Sequence, residues 1–131
     1  SELGPGIFPA MRLLIGASIL KREFGAAIPL EHLVVLRRAA RVPLLADIKG
    51  AGLPAQTKLL KGYATSGQGP RRLVCLLATA SGDLFLLFYR PKGDSIGDNI
   101  SIKNPAFIAA LRKHLTLLQS DIAERRIQEI I

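Results

Sequence analysis

The chain has 131 residues, enough for one domain with a proper core and no need of a disulfide or metal staple. An apolar share of 49% and a charged share of 21% describe a globular protein, and no apolar run reaches the roughly 18 uncharged residues of a membrane helix. The formal charge of +8 points to polyanionic partners: nucleic acid, an acidic protein or an anionic surface.

Ser1–Pro9 holds two Pro and two Gly and reads as a loose, flexible lead-in. Leu13–Leu20 is an apolar run that fits either a first strand or the start of a helix. A basic residue ahead of a short apolar segment has the order of a signal sequence, but no convincing cleavage site follows, and the segment is expected to serve the core. Lys21–Ala27 reads as helix, stopping at Gly25 or before Pro29. Pro29 then suits a first helical position, with Glu31 in the first turn, an apolar stripe of Leu30, Leu33, Val34 and Leu36, and Arg37, Arg38 and Arg41 toward the far end. Pro43 ends that helix, and Lys49–Pro54 is a glycine-rich connection.

From Lys58 to Lys92 the pattern changes to short apolar runs broken by turns, which predicts three consecutive antiparallel strands. They are Lys58–Tyr63, then Arg71–Leu77 after a loop at 65–70, then Leu84–Lys92 after a hairpin at Ser81-Gly82-Asp83. The last two are apolar at both parities, so they belong at the centre of a sheet, covered on one face by helices and partly on the other. A polar loop at 93–99 leads to Asn104-Pro105, an N-cap and first helical residue, and the spacing of Phe107, Ile108, Leu111, Leu115, Leu118 and Ile122 predicts a long C-terminal helix over 105–128. The fold class expected is α+β: one domain over 1–131, with N-terminal helices packed on a small antiparallel sheet.

Charge follows the same division. Residues 49–93 carry seven basic side chains against one acidic, whereas 94–131 carry five of each, so the excess sits on the strands. No metal-ligand cluster, nucleophile elbow or cofactor fingerprint is present: two His and one Cys lie far apart, Gly50-Ala-Gly52 lacks a strand-turn-helix context, and Gly67-Gln-Gly69 lacks the Lys-Ser/Thr of a phosphate loop. Cys75 falls inside a strand and reads as core; a lone cysteine suits a reducing cytoplasm. Asp83, Asp94 and Asp98 read as turn formers, and His32 and His114 as helix-surface residues. What remains is a cationic site. Arginine can hold a phosphate bidentately, and RNA can be cut without a metal when its own 2′-hydroxyl attacks, provided a base such as lysine takes the proton. Tyr63 and Tyr89 could stack on splayed bases, with Arg71 on the backbone.

The run Lys58-x-x-Lys61, a glycine loop, Arg72-Leu-Val, a hairpin, Phe88-Tyr-Arg90-x-Lys92 and a polar loop before a helix resembles the RelE/HigB-like toxins of bacterial toxin–antitoxin pairs, over roughly residues 45–120. The resemblance implies a ribosome-dependent mRNA endonuclease, a hydrolase of the cytoplasm, without metal or cofactor, neutralised by a cognate antitoxin protein. It implies that Arg72 contacts the scissile phosphate, that Arg90 or Lys92 is the second phosphate ligand or acid, and that Lys58 and Lys61 supply the base and backbone contacts. Lys58 and Lys61 differ by three, so both serve one site only if a bulge or strand end intervenes. Two other readings stay open: a ParE-type gyrase poison, and a non-enzymatic module that binds nucleic acid or an acidic partner.

Overall fold

The apolar run near the N-terminus is both of the things it resembled. In the computed structural model, which describes residues 12–131, Leu13–Gly16 is strand β1 and Ala17–Phe24 is helix α1. The lead-in expected at 1–9 lies outside the described residues. The switch falls on Gly16, which is still extended and has no side chain to cap the helix it precedes. Asp121, 103 residues downstream of Ser18, caps it instead. Its carboxylate accepts from the Ser18 N–H at 2.8 Å and from the Ser18 hydroxyl at 2.9 Å. A Cβ on residue 16 would sit 2.6 Å from Asp121 Oδ2, so only glycine lets the cap approach. Helix α1 stops at Gly25, whose φ of 77° closes the last turn as expected.

Helix α2 (Leu30–Ala39) follows, with Pro29 just outside it. The stripe expected to be inward is rotated: Leu36 and Ala39 are buried, while Leu30 is 76% exposed. After a 3-10 turn at Val42–Leu44 comes β2 (Ala46–Ile48), three residues that are too short to show a period in sequence.

The three expected strands are present and two are longer than expected: β3 (Thr57–Ser66), β4 (Gly69–Ala78) and β5 (Leu84–Pro91). The loop expected over 65–70 shrinks to Gly67-Gln68, with Ser66 paired directly to Gly69. The sheet order is β2-β3-β4-β5-β1-β6, which places β4 and β5 centrally. The sheet is mixed and larger than expected, because β1 lies parallel to β5 and antiparallel to β6. Helix α3 (Pro105–Ala123) starts at the expected cap, Asn104 accepting from the Ala106 N–H at 3.1 Å, but it ends before 128. Arg125, at a φ of 58°, helps turn the chain back so that Ile127–Glu129 forms β6 beside β1. Main-chain pairing to β1 outcompetes further helix there.

Both faces of the sheet are covered. Phe88 of β5 packs against Phe107 and His114 of α3 on one face; Tyr89 packs against His32 of α2 on the other. A single buried cluster runs through Ile15, Leu36, Leu73, Phe88, Leu111 and Leu118. Cys75 is fully buried inside it, and burial pushes its thiol far up, so it fills space. Among the described residues no helix is long and apolar enough to cross a membrane.

Candidate functional site

Strand register sorts the basic side chains. Tyr63, Arg72 and Arg90 stand opposite one another on β3, β4 and β5, and Lys61, Val74 and Phe88 form the next rung, so these six share the face that α3 covers. Arg71 pairs with Pro91, and Leu73 with Tyr89, on the face that α2 covers. The residues nominated from sequence are therefore split between two faces and do not gather at one spot.

On the α3 face, Lys61, Tyr63 and Arg72 line a cleft of about 220 Å³ closed by the loop Gly97–Ser101. The Arg72 guanidinium carbon lies 4.2 Å from the Tyr63 ring centroid, and the tyrosine remains 60% exposed. Among the described residues neither Lys61 nor Arg72 has a carboxylate within 4.0 Å. The loop is pinned by Asp94, which does more than form a turn: it accepts from the Ile96 N–H at 2.9 Å, from the Gly97 N–H at 3.2 Å and from Arg90 Nη1 at 3.1 Å. Burial raises the Asp94 carboxyl pKa, but these bonds outweigh it and hold the group below its usual range. A Cβ added at Gly97 would clash with the Pro91 carbonyl oxygen and lie 3.1 Å from Arg90 Cβ, so no side chain fits. Gly97→Ala is expected to push the loop off the cleft and to cost about 1–3 kcal/mol, read as a lower urea midpoint together with shifted Ser101 and Arg72 amide resonances.

Arg90 is not free for phosphate, contrary to the expectation. Its Nε and Nη2 donate to Glu23 Oε1 and Oε2, both at 2.8 Å, and Asp94 takes Nη1. The Glu23 side chain is fully buried; it also accepts from the Tyr89 N–H at 3.0 Å, beyond the stretch of β5 that β1 pairs with, and meets His114 Nε2 at 3.0 Å. Burial raises the Glu23 pKa, but the bonds from Arg90, His114 and Tyr89 together hold it below the usual carboxylate range. His114 is accordingly a core residue, not a helix-surface one: it is 3% exposed and stacks on Phe88 at 4.3 Å. No local sequence signal could pair Glu23 with a residue 91 positions away.

On the α2 face, Glu23, Phe24, Pro29, His32, Arg71, Tyr89, Arg90 and Pro91 line a second cleft of about 230 Å³. Tyr89 is 4% exposed and its ring stacks on Phe24 at 5.8 Å, so it has no open face for an RNA base, which corrects its expected role. Its hydroxyl lies 2.8 Å from His32 Nδ1, and burial pushes the phenol up, Arg71 working against this and Glu31 adding to it. Arg71 leans over the same ring at 5.4 Å. Sequence alone makes His32 a surface residue because its partner lies 57 positions away.

Lys58 and Lys92 belong to neither cleft. Strand β3 pairs without a bulge from Thr57 to Ser66, so Lys58 faces away from Lys61; it lines a shallow groove with Asp47 and Lys49. Lys92 is exposed beyond the end of β5. Comparison of the chain with protein-family models, with curated proteins and with solved structures found no match.

Proposed function

We propose that the chain is an endoribonuclease of the RelE-like kind, acting on mRNA at the ribosome and held in check by an antitoxin, with RNA lying on the Lys61–Tyr63–Arg72 face. One observation carries this reading: an exposed tyrosine is backed by an arginine and flanked by a lysine, and among the described residues neither cation has a carboxylate within 4.0 Å, although Asp98 lines the same cleft. Single-stranded RNA is recognised by such a combination, an aromatic face for a base and uncompensated cations for the backbone. Arg72 would hold the scissile phosphate and stabilise the added charge of the phosphorane. Lys61, on the neighbouring strand, would act in its neutral amine form and take the proton of the 2′-hydroxyl as that oxygen attacks phosphorus. The P–O5′ bond breaks, the leaving 5′-oxygen takes a proton from solvent water, and the products are a 2′,3′-cyclic phosphate and a 5′-hydroxyl.

The order of elements also suits the resemblance, with helices ahead of a consecutive antiparallel run and a helix after it. A ribosome-bound mRNA carrying a single 2′-deoxynucleotide at the cut position tests the chemistry. Cleavage is expected to stop at that position and continue elsewhere. Unabated cleavage there would show that the 2′-hydroxyl is not the nucleophile. Salt-sensitive RNA binding with no cleavage at all would favour the non-enzymatic binder.

A further inference from the structure

The cleft on the α2 face takes no part in the proposed cleavage. Three elements that are distant in sequence bring His32, Arg71 and Tyr89 to it. We propose that this cleft is a second anion site, built for a phosphate group held between Arg71 and His32 over the edge of Tyr89.

Among the described residues Arg71 brings to the cleft a cation with no carboxylate partner. Arg71 hydrogen-bonds only neutral oxygens among the described residues, Ser66 Oγ at 3.4 Å and Gln68 Oε1 at 3.1 Å, so its charge is not offset. Glu23 and Arg90 also line the cleft but are paired with each other, and Asp94 takes a further Arg90 nitrogen, so Arg90 adds no free positive charge. Glu31, beside His32 on α2, is exposed and accepts from the Gly67 N–H at 3.0 Å at the β3–β4 turn. It tempers the field without lining the cleft.

The histidine ring is held in place. The hydrogen bond to Tyr89 occupies His32 Nδ1 and fixes the ring, and Nε2 has no partner among the described residues. Nε2 is not buried, since among the described residues the sole unpartnered buried side-chain polar atom is His114 Nδ1. When the phenol donates to Nδ1, the proton of neutral imidazole resides on Nε2, which is then a donor; imidazolium donates from both nitrogens. In these two states, though not in the tautomer whose Nδ1–H donates to the Tyr89 oxygen, the cleft presents an imidazole N–H and a guanidinium in about 230 Å³, room for several waters at about 30 Å³ each and so for one phosphate. Because Arg71 and Arg72 are adjacent on β4, their side chains leave the strand on opposite faces, and this site is separate from the first.

A phosphate group could arrive on a nucleic-acid strand or free in solution, and one experiment separates the two. Inorganic phosphate is titrated into the full 131-residue chain labelled with ¹⁵N, following the imidazole and Arg Nε resonances. Saturable shifts at His32 and Arg71 are expected at roughly millimolar phosphate. They should vanish in Arg71→Ala, weaken several-fold in Tyr89→Phe, which keeps the buried ring and frees Nδ1, and persist in Arg72→Ala. No saturable change at His32 in the unaltered chain, or an unchanged titration in Arg71→Ala, overturns the proposal. A single-stranded RNA oligonucleotide that moves the same resonances at lower concentration than phosphate assigns the site to a backbone phosphate; one that leaves them unmoved while phosphate shifts them assigns it to a free group. Because phosphate binding is read without cleavage, this site stands or falls independently of the proposed nuclease activity.

Discussion

Glu23→Ala is expected to lower the unfolding free energy by about 3–5 kcal/mol, the usual cost of removing one partner from a buried ion pair. The carboxylate is the common acceptor for Arg90 Nε and Nη2, for the Tyr89 N–H and for His114 Nε2. Its loss leaves a guanidinium whose side chain is 24% exposed with Asp94 alone, leaves an inner-strand amide without a partner, and removes a partner from a histidine whose other nitrogen is already orphaned. Acid should erase the difference between the two proteins. The folded-state pKa of Glu23 is depressed, so its contribution is fully present above the unfolded value of about 4.3 and disappears as pH falls through the lower folded value. Urea titrations of both proteins at neutral pH and below about pH 4 measure this directly. An identical midpoint at neutral pH would show that the network does not hold the fold together.

Arg72→Ala should reduce RNA cleavage about 10²–10³-fold, the scale seen when a donor to developing charge is removed. Stability should fall by no more than the stack on Tyr63 is worth, about 0.5–1 kcal/mol at an exposed site. Arg90→Ala should show the opposite balance, because it leaves Glu23 buried and unpaired. Cleavage per folded molecule, with the folded fraction read by circular dichroism, separates the two. Cleavage by Arg72→Ala within a few-fold of the unaltered protein would remove this face from the reaction.

The strand region is legible because it is local. Apolar runs at both parities announce buried strands, and Asn104-Pro105 announces a helix start by chemistry that acts within a few residues. The run around Gly16 is ambiguous for an equally local reason, since four buried residues have no measurable period. The end of α3 is misplaced from sequence because the apolar spacing continues through Ile122, which is 48% exposed, and gives no warning that β1 will recruit Ile127–Glu129.

The candidate site is legible in kind and illegible in place. Composition marks the strands as cationic, and alternation alone separates Lys58 from Lys61 and Arg71 from Arg72. Which cations stay available depends on where carboxylates from elsewhere come to rest, and those separations are 67 residues for Glu23 with Arg90 and 57 for His32 with Tyr89. By itself, then, the order of residues determined the α+β class, the three antiparallel strands, the cap of α3 and the sign of the charge they carry. Tertiary structure alone decided that Arg90 is neutralised, that His114 is core, that Tyr89 is buried, and that Arg71 and Arg72 line two separate clefts. The reason is physical: backbone preference and side-chain alternation act over a few residues, whereas a charge is cancelled or left free by whatever the completed fold places within hydrogen-bond reach.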